Sequence, residues 1–333
     1  MDSQRCVLRA ARALLGAAAL APALGAQSVR ATLPDSTFWP EGVDYDARTG
    51  RFYVASVRHG TVAEVAPDGR VRELWPRHAP GVSAVFGVRV DTARGVLWVT
   101  TSGVPQAAGY RAADSTIAAL LRVRIADGAI ERRWELPPAP AGHVLGDLAV
   151  GPHGDVFFTD SRHPMLYRLR PGGDTLEHFT HPLFRSLQGL APTPDGRVLY
   201  LADYSNSLLR VELGDGAVTV VGNAADARTR RGCDGIAWYE GSIIAVQNGA
   251  TPARVVRYFL NEGGTDVTRT TLLAANAAIA DEPTIGTIAG SSFVYVANSQ
   301  WEKYDEQGVR KRAIALTPPV LLSVPLARGD RAP

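Results

Sequence analysis

The sequence predicts an all-β chain, a six-bladed β-propeller with four-stranded antiparallel blades around a central channel. Three observations carry that prediction. One phrase recurs, as Glu41-Gly42-Val43 before Arg51–Ser56, Gly146–Val150 before Gly154–Asp160, Gln188-Gly189-Leu190 before Gly196–Asp203, and Asp234-Gly235-Ile236 before Ser242–Gln247. Each copy sets a polar residue beside a glycine or small apolar residue, then a short apolar run, a turn, and a second run with a polar end. The copies return every 40–50 residues or so, roughly the period of a blade. Turn tripeptides such as Pro67-Asp68-Gly69 and Pro194-Asp195-Gly196 punctuate the runs, as strand hairpins require. A propeller gathers the same position of every blade around one axis, so residues far apart in sequence become neighbours.

The chain opens differently. Arg5, Arg9 and Arg12 precede an apolar run, Ala13–Leu24, followed by Gly25, Ala26 and the polar Gln27-Ser28. Basic start, short apolar middle and small-residue exit describe a secretory signal peptide. Residues 1–26 are therefore expected to direct export, to the periplasm or beyond, and residues 27–333 to form a single propeller domain. The leader carries the whole formal excess of +2. A near-neutral mature domain gives no footprint for nucleic acid. Cleavage also removes Cys6 and leaves Cys233 alone, so no internal disulfide is expected. No later stretch is apolar enough, for long enough, to cross a bilayer. The expected partner is a small molecule, and the domain is expected to be a monomer.

The blades follow in order, at about Phe38–Trp75, Gly81–Leu136, His143–Leu183, Phe184–Val221, Gly232–Ala274 and Pro283–Leu326. Blade two departs from the pattern with an insertion, Gly103–Leu120, and a short helical turn is expected through Ser115–Leu121. Long loops of this kind lie over one face of a propeller and cap or line a pocket. Val29–Leu33 is expected to pair with the last blade and close the ring, because an open propeller would expose edges. Gly222–Gly232 reads as an exposed basic link. Trp301–Arg312 mixes both charge signs and reads as a solvated loop, with Trp301 and Tyr304 placed to stack on a sugar ring.

In such blades the residues just before strand one and just after strand two reach the same channel mouth. The first set is Glu41, Asp147, Gln188 and Asp234. The second is Ser56 with His59, Thr101, Asp160 with His163, Asp203, Gln247 with Asn248, and Asn298. Converging carboxylates repel one another, and a hard divalent cation with oxygen ligands, Ca²⁺ foremost, relieves that repulsion. Strand-end Asp, Asn and Gln also bond turn backbones, and Asp160 and Asp203 fit that role equally well. His59 and His163, just beyond second strands, are candidate substrate contacts or acid/base groups, and Asn298 and Trp301 candidate substrate contacts. No His–carboxylate pair is evident in sequence. Ser56 and Ser102 lack a nucleophile-elbow context. Cys233 reads as a small buried packing residue.

On Pro40-Glu41-Gly42, Gln188-Gly189-Leu190 with Pro194-Asp195-Gly196, and Cys233-Asp234-Gly235-Ile236, nearly the whole mature chain resembles the regucalcin/gluconolactonase/luciferin-regenerating-enzyme-like propellers. The resemblance implies a divalent metal held by Glu41, Gln188 and Asp234. It departs from the family pattern twice. Gln188 stands where the family has Asn, and Gly146, with Asp147 alongside, stands where blade three carries Asn. The resemblance further implies a metal-dependent lactonase or esterase, with Asp234 or Asp147 taking a proton from the attacking water. The competing reading is a non-catalytic propeller that binds a small ligand, a glycan or a protein with the same face.

Overall fold

Apolar residues alternate or run through short segments bounded by Gly, Pro and Asp, and such segments pair as strands. The computed structural model describes residues 27–327, where these segments form six separate four-stranded sheets. The expected signal peptide, residues 1–26, lies outside the described residues. The inner strands are Pro40–Asp46, Ala84–Asp91, Leu145–Val150, Leu187–Pro192, Ile236–Tyr239 and Gly286–Ala289. Each pairs antiparallel with the next strand in sequence: Arg51–Ser56, Val96–Ser102, Val156–Asp160, Val198–Asp203, Ser242–Gln247 or Ser292–Val296. The six-bladed propeller expected from the repeat is therefore the fold.

Five sheets run outward in sequence order. The sixth takes its outermost strand from the start of the domain: Ser28–Thr32 pairs antiparallel with Val320–Pro325, Thr32 opposite Val320. Both ends of the chain thus share one blade, and the ring closes as expected. Thr284 Oγ1 adds a second tie, donating to the Glu41 carbonyl at 2.8 Å across the same seam.

Apolar faces of neighbouring blades pack against each other. Tyr53, Val85, Leu97 and Leu121 fill the space between blades one and two. Phe157, Leu190, Leu199 and Leu209 do so between three and four, and Ile244, Val246, Phe293 and Tyr295 between five and six. Each such side chain contributes about 1.5–3 kcal/mol by leaving water. Cys233 is fully buried in the cluster with Ile236 and Tyr258. Burial pushes its thiol up to about 12, so it packs rather than reacts. Among the described residues no helix is long and apolar enough to cross a membrane.

Two local expectations are corrected. The helical turn of blade two lies earlier, as a 3₁₀ turn over Ala112–Thr116, and Ala118–Arg124 is already the third strand. The Ala118–Leu121 run is apolar and buried, which suits a strand. The segment after Gly222 contains a helix, Ala224–Thr229, N-capped by the Asn223 side chain. Its Arg230 is buried, donating to the Val221 carbonyl at 2.8 Å.

Candidate functional site

Pairing slips by an extra residue in the inner strands of the first four blades, at Pro40/Val43, Val85/Val88, Leu145/Leu148 and Leu187/Leu190. Such bulges re-aim side chains. Here they bring Glu41, Phe86, Gly146 and Gln188 to equivalent places around the axis, and Asp234 enters blade five at the matching position. The glycine that follows four of these residues is required by close approach. A Cβ on Gly42 would lie 2.4 Å from the Phe86 carbonyl oxygen, one on Gly189 2.6 Å from that of Asp234, and one on Gly235 2.6 Å from Ile285 Cα. Each inner strand thus rests against the next, and threonines stitch the contacts. Thr100 Oγ1 donates to the Gly146 carbonyl at 2.8 Å, and Thr159 Oγ1 to that of Gln188 at 2.9 Å.

Blade three reverses the order. Its glycine takes the axial place, and the carboxylate moves one residue on to Asp147. That group is buried and faces Arg89, whose Nη2 donates to Oδ2 at 2.8 Å, while Oδ1 accepts from the Leu148 amide at 2.8 Å. Gly146 therefore leaves a gap in the ring of side-chain donors that Asp147, with both oxygens engaged, does not fill.

Glu41, Gln188, Asp234 and Asp147 meet at one cavity of about 260 Å³, together with Phe86, Val144, Gly146, Ser161, Ile285 and Trp301. Trp301 Nε1 donates to Glu41 Oε2 at 2.7 Å. Asn248 Nδ2 donates to Asp234 Oδ2 at 2.8 Å and to the Pro283 carbonyl at 2.9 Å. Burial first, and then the Asp234 charge, push the Glu41 carboxyl well above its ordinary range, against the pull of the Trp301 bond. Burial pushes Asp234 up to about 7 against the Asn248 bond, with Asp147 adding to the rise. Burial likewise takes Asp147 to about 6 despite Arg89, and Glu282, a second neighbour of Glu41, to about 7. Ionised together, these carboxylates repel one another in a buried site.

A cation would relieve that repulsion. Among the described residues no three His, Cys, Asp or Glu side chains gather closely enough to hold a metal by themselves. The donor set is two carboxylates and the Gln188 amide. All three offer oxygen, the ligand type of a hard cation, without imidazole or sulfur. The residues fit Ca²⁺ by chemistry, with one donor fewer than a site carrying a blade-three amide.

The residues at the ends of second strands do something else. Asp203 is fully buried and accepts from the amides of Arg185, Ser186, Ser205 and Asn206 at 2.7–3.0 Å. Asp160 accepts from the amides of Val144, Arg162 and His163. Asn298 accepts from Val320 N at 2.7 Å and donates to Thr317 and Pro318. Ser56 donates to the Phe38 carbonyl, Thr101 to that of Ala84 and Gln247 to those of Thr229 and Arg231. These side chains tie loops to their own blades and do not line the cavity. Neither candidate histidine lines it. His59 is buried between Thr37 Oγ1, at 3.1 Å, and Asp35 Oδ2, at 3.4 Å. His163 Nε2 meets the Gly142 carbonyl at 2.9 Å.

Sequence reasoning missed four features. Phe86 carries the same glycine-valine signature as Glu41, but its apolar side chain hid it. Glu282 lies in the short link before blade six. A His–carboxylate pair does exist: His143 Nδ1 meets Asp160 Oδ2 at 2.6 Å. The other nitrogen of His143 meets the Pro137 carbonyl at 2.9 Å, so the pair is a loop tie. The loop from Trp301 is not solvated throughout, for Lys303 and Tyr304 are buried. Tyr304 stacks on Trp39 with centroids 4.1 Å apart rather than facing a ligand. Arg58 Nη1 joins the Gly308 and Gln106 carbonyls, so the last loop and the blade-two insertion cover this face together.

A family model described as the SMP-30/Gluconolactonase/LRE-like region matches residues 39–278. No curated protein matches the chain. Solved structures of the same fold include a gluconolactonase from Xanthomonas campestris, 17% identical, covering 90% of this chain and 88% of that one, with a TM-score of 0.57. A calcium-binding protein, regucalcin, from Agrobacterium tumefaciens is 16% identical, covering 90% and 96%, with a TM-score of 0.60. A virginiamycin B lyase from Staphylococcus aureus is 16% identical, covering 89% and 83%, with a TM-score of 0.59. At these identities the likeness concerns the fold, and three such different names show why the chemistry must be argued from the site.

Proposed function

The chain belongs to the SMP-30/gluconolactonase/LRE-like family, and on that premise we propose a hydrolase that opens a lactone or small ester at the channel mouth, with a divalent cation, Ca²⁺ foremost, as cofactor. One observation carries the reading: Glu41, Gln188 and Asp234, from blades one, four and five, share one cavity, and both carboxyls are pushed up in pKa. These three residues would hold the cation. When bound, it supplies Lewis-acid polarisation of the substrate carbonyl.

The chain's own groups do the rest. Trp301 fixes Glu41 and Asn248 fixes Asp234 by single hydrogen bonds. Phe86, Val144 and Ile285 line the cavity with apolar surface. In hydrolysis the water oxygen bonds the carbonyl carbon, and the ring or ester C–O bond breaks. The proton taken from water returns to the departing alkoxide. Asp234, which lines the cavity and is held there by Asn248 alone, is the better placed of the two candidate bases to take that proton. Asp147 is tied to Arg89 and Leu148, and its role is to hold the floor of the site.

A binding-only propeller is the second reading, favoured by the two axial places, Phe86 and Gly146, that offer no oxygen donor. Calorimetric titration of chelator-treated protein with Ca²⁺ separates them. Binding that Glu41→Gln and Asp234→Asn both abolish, followed by turnover of a lactone or ester, supports the enzyme. No binding of Ca²⁺, Mg²⁺, Mn²⁺ or Zn²⁺ retires it. Export through residues 1–26 belongs to the same proposal, and N-terminal sequencing of protein recovered outside the cytoplasm checks it. Recovery with Met1 retained would refute cleavage.

A further inference from the structure

The cavity lining mixes two kinds of side chain: Glu41, Asp147, Gln188 and Asp234 are polar, and Phe86, Val144, Ile285 and Trp301 are apolar or aromatic. Phe86 holds the axial place of blade two, where blades one, four and five present a polar side chain. Its ring lies 6.4 Å from that of Trp301, the planes 23° apart. The Trp301 ring is braced edge-on by Trp39 at 4.9 Å. The turn before it is pinned by Gln300, which has a left-handed φ of 72°. Gln300 donates to the Ser36 carbonyl at 3.1 Å and accepts from Thr317 N at 3.0 Å. The wall is therefore held in place from behind. It also has no hydrogen bond to offer, since the one donor of Trp301 is committed to Glu41.

Hydroxyl groups pressed on such a wall would lose water without a partner, whereas methylenes gain by leaving it. We propose that the mouth selects a lactone or ester bearing an apolar arm, alkyl or aryl, with the arm on the Phe86–Trp301 wall and the carbonyl toward Glu41 and Asp234. A polyhydroxylated sugar lactone is disfavoured. This rests on the hydrolase reading for what happens to the ligand, but not for which ligand enters.

The test uses the whole mature chain with Ca²⁺ present. Its probes are δ-lactones with alkyl arms of two to seven carbons, glucono-δ-lactone, and the alkyl δ-lactams, which resist hydrolysis and report binding by calorimetry and tryptophan fluorescence. The alkyl lactones should exceed the sugar lactone at least tenfold in kcat/KM. Lactam affinity should rise about fourfold per added methylene until the wall is covered. Phe86→Ala should flatten that series. Trp301→Phe, which keeps a ring, should preserve the slope of the series even where weaker Ca²⁺ binding lowers every affinity in it. Should Phe86→Ala fail to fold, the wild-type series still decides. Equal or better turnover of the sugar lactone would overturn the inference and leave the hydrolase standing. Graded lactam binding without any turnover would uphold the ligand class and sink the hydrolase. Absence of both turnover and graded binding would overturn the inference.

Discussion

Trp301 donates its indole N–H to Glu41 Oε2 at 2.7 Å, joining the last long loop to the inner strand of the first blade. The bond favours the ionised form of a carboxyl that burial and Asp234 drive toward protonation. It also leaves only Oε1 unshared. Partners that orient a ligating carboxylate in this way typically cost 10–100-fold in metal affinity when removed. Trp301→Phe, which keeps the packing on Trp39 and Phe86, should weaken Ca²⁺ binding by about that factor in calorimetry. A change of less than about threefold would show that the bond does not prepare Glu41.

The raised carboxyls predict a direction of pH dependence. Asp234 moves up to about 7 and Asp147 to about 6 on folding. Between about pH 4 and pH 7 the folded protein therefore holds more protons at these groups than the unfolded chain, and their contribution makes stability fall as pH rises. Asp35, held near 2 by Thr37 and Arg77 against its burial, works in the opposite sense at lower pH. Asp234→Asn isolates the cluster. In chelator it should stabilise the protein by roughly 2 kcal/mol at pH 8 and by little at pH 4, read from urea unfolding. Added Ca²⁺ should raise the melting temperature of wild type more at pH 8 than at pH 5. An equal rise at both would contradict the linkage.

The blade count and three of the axial residues were legible because the glycine after each is forced by contact with the next blade, and a forced glycine repeats visibly. Phe86-Gly87 bears the same mark, but an apolar residue in an apolar strand gives no chemical signal. At second-strand ends the sequence does not say whether a buried Asp faces the channel or its own loop. Asp160 and Asp203 turn to the loop because several backbone amides there need an acceptor. The Trp301 loop was misread from its charges. Tyr304 turns inward to stack on Trp39, and Lys303 to meet Asp281 Oδ2 at 3.1 Å.

The loop-tying role makes its own prediction. Asp203 meets four backbone amides in a fully buried position. Asp203→Ala strands those donors and should cost about 3 kcal/mol in urea unfolding. Affinity for Ca²⁺ or an alkyl lactam should stay within about twofold, because Asp203 does not line the cavity. A large loss of affinity at unchanged stability would return Asp203 to the site.

Ring closure is the last feature open to a direct test. Ser28–Thr32 is largely exposed, so its removal sacrifices little apolar burial. It uncovers instead the edge of Val320–Pro325, whose register with Ser28–Thr32 now satisfies its backbone. Val320, Leu321 and Leu322 would then border an unpaired edge, the arrangement that invites strand addition from another molecule. A chain beginning at Leu33 should melt a few degrees lower and associate with rising concentration in sedimentation velocity, while the full domain does not change with concentration. Lys substituted for Ser323 in the truncated chain should suppress that association by placing charge along the open edge. If the truncated chain melts as before and sediments as one species throughout, the seam is held by blade packing and the Thr284–Glu41 tie alone.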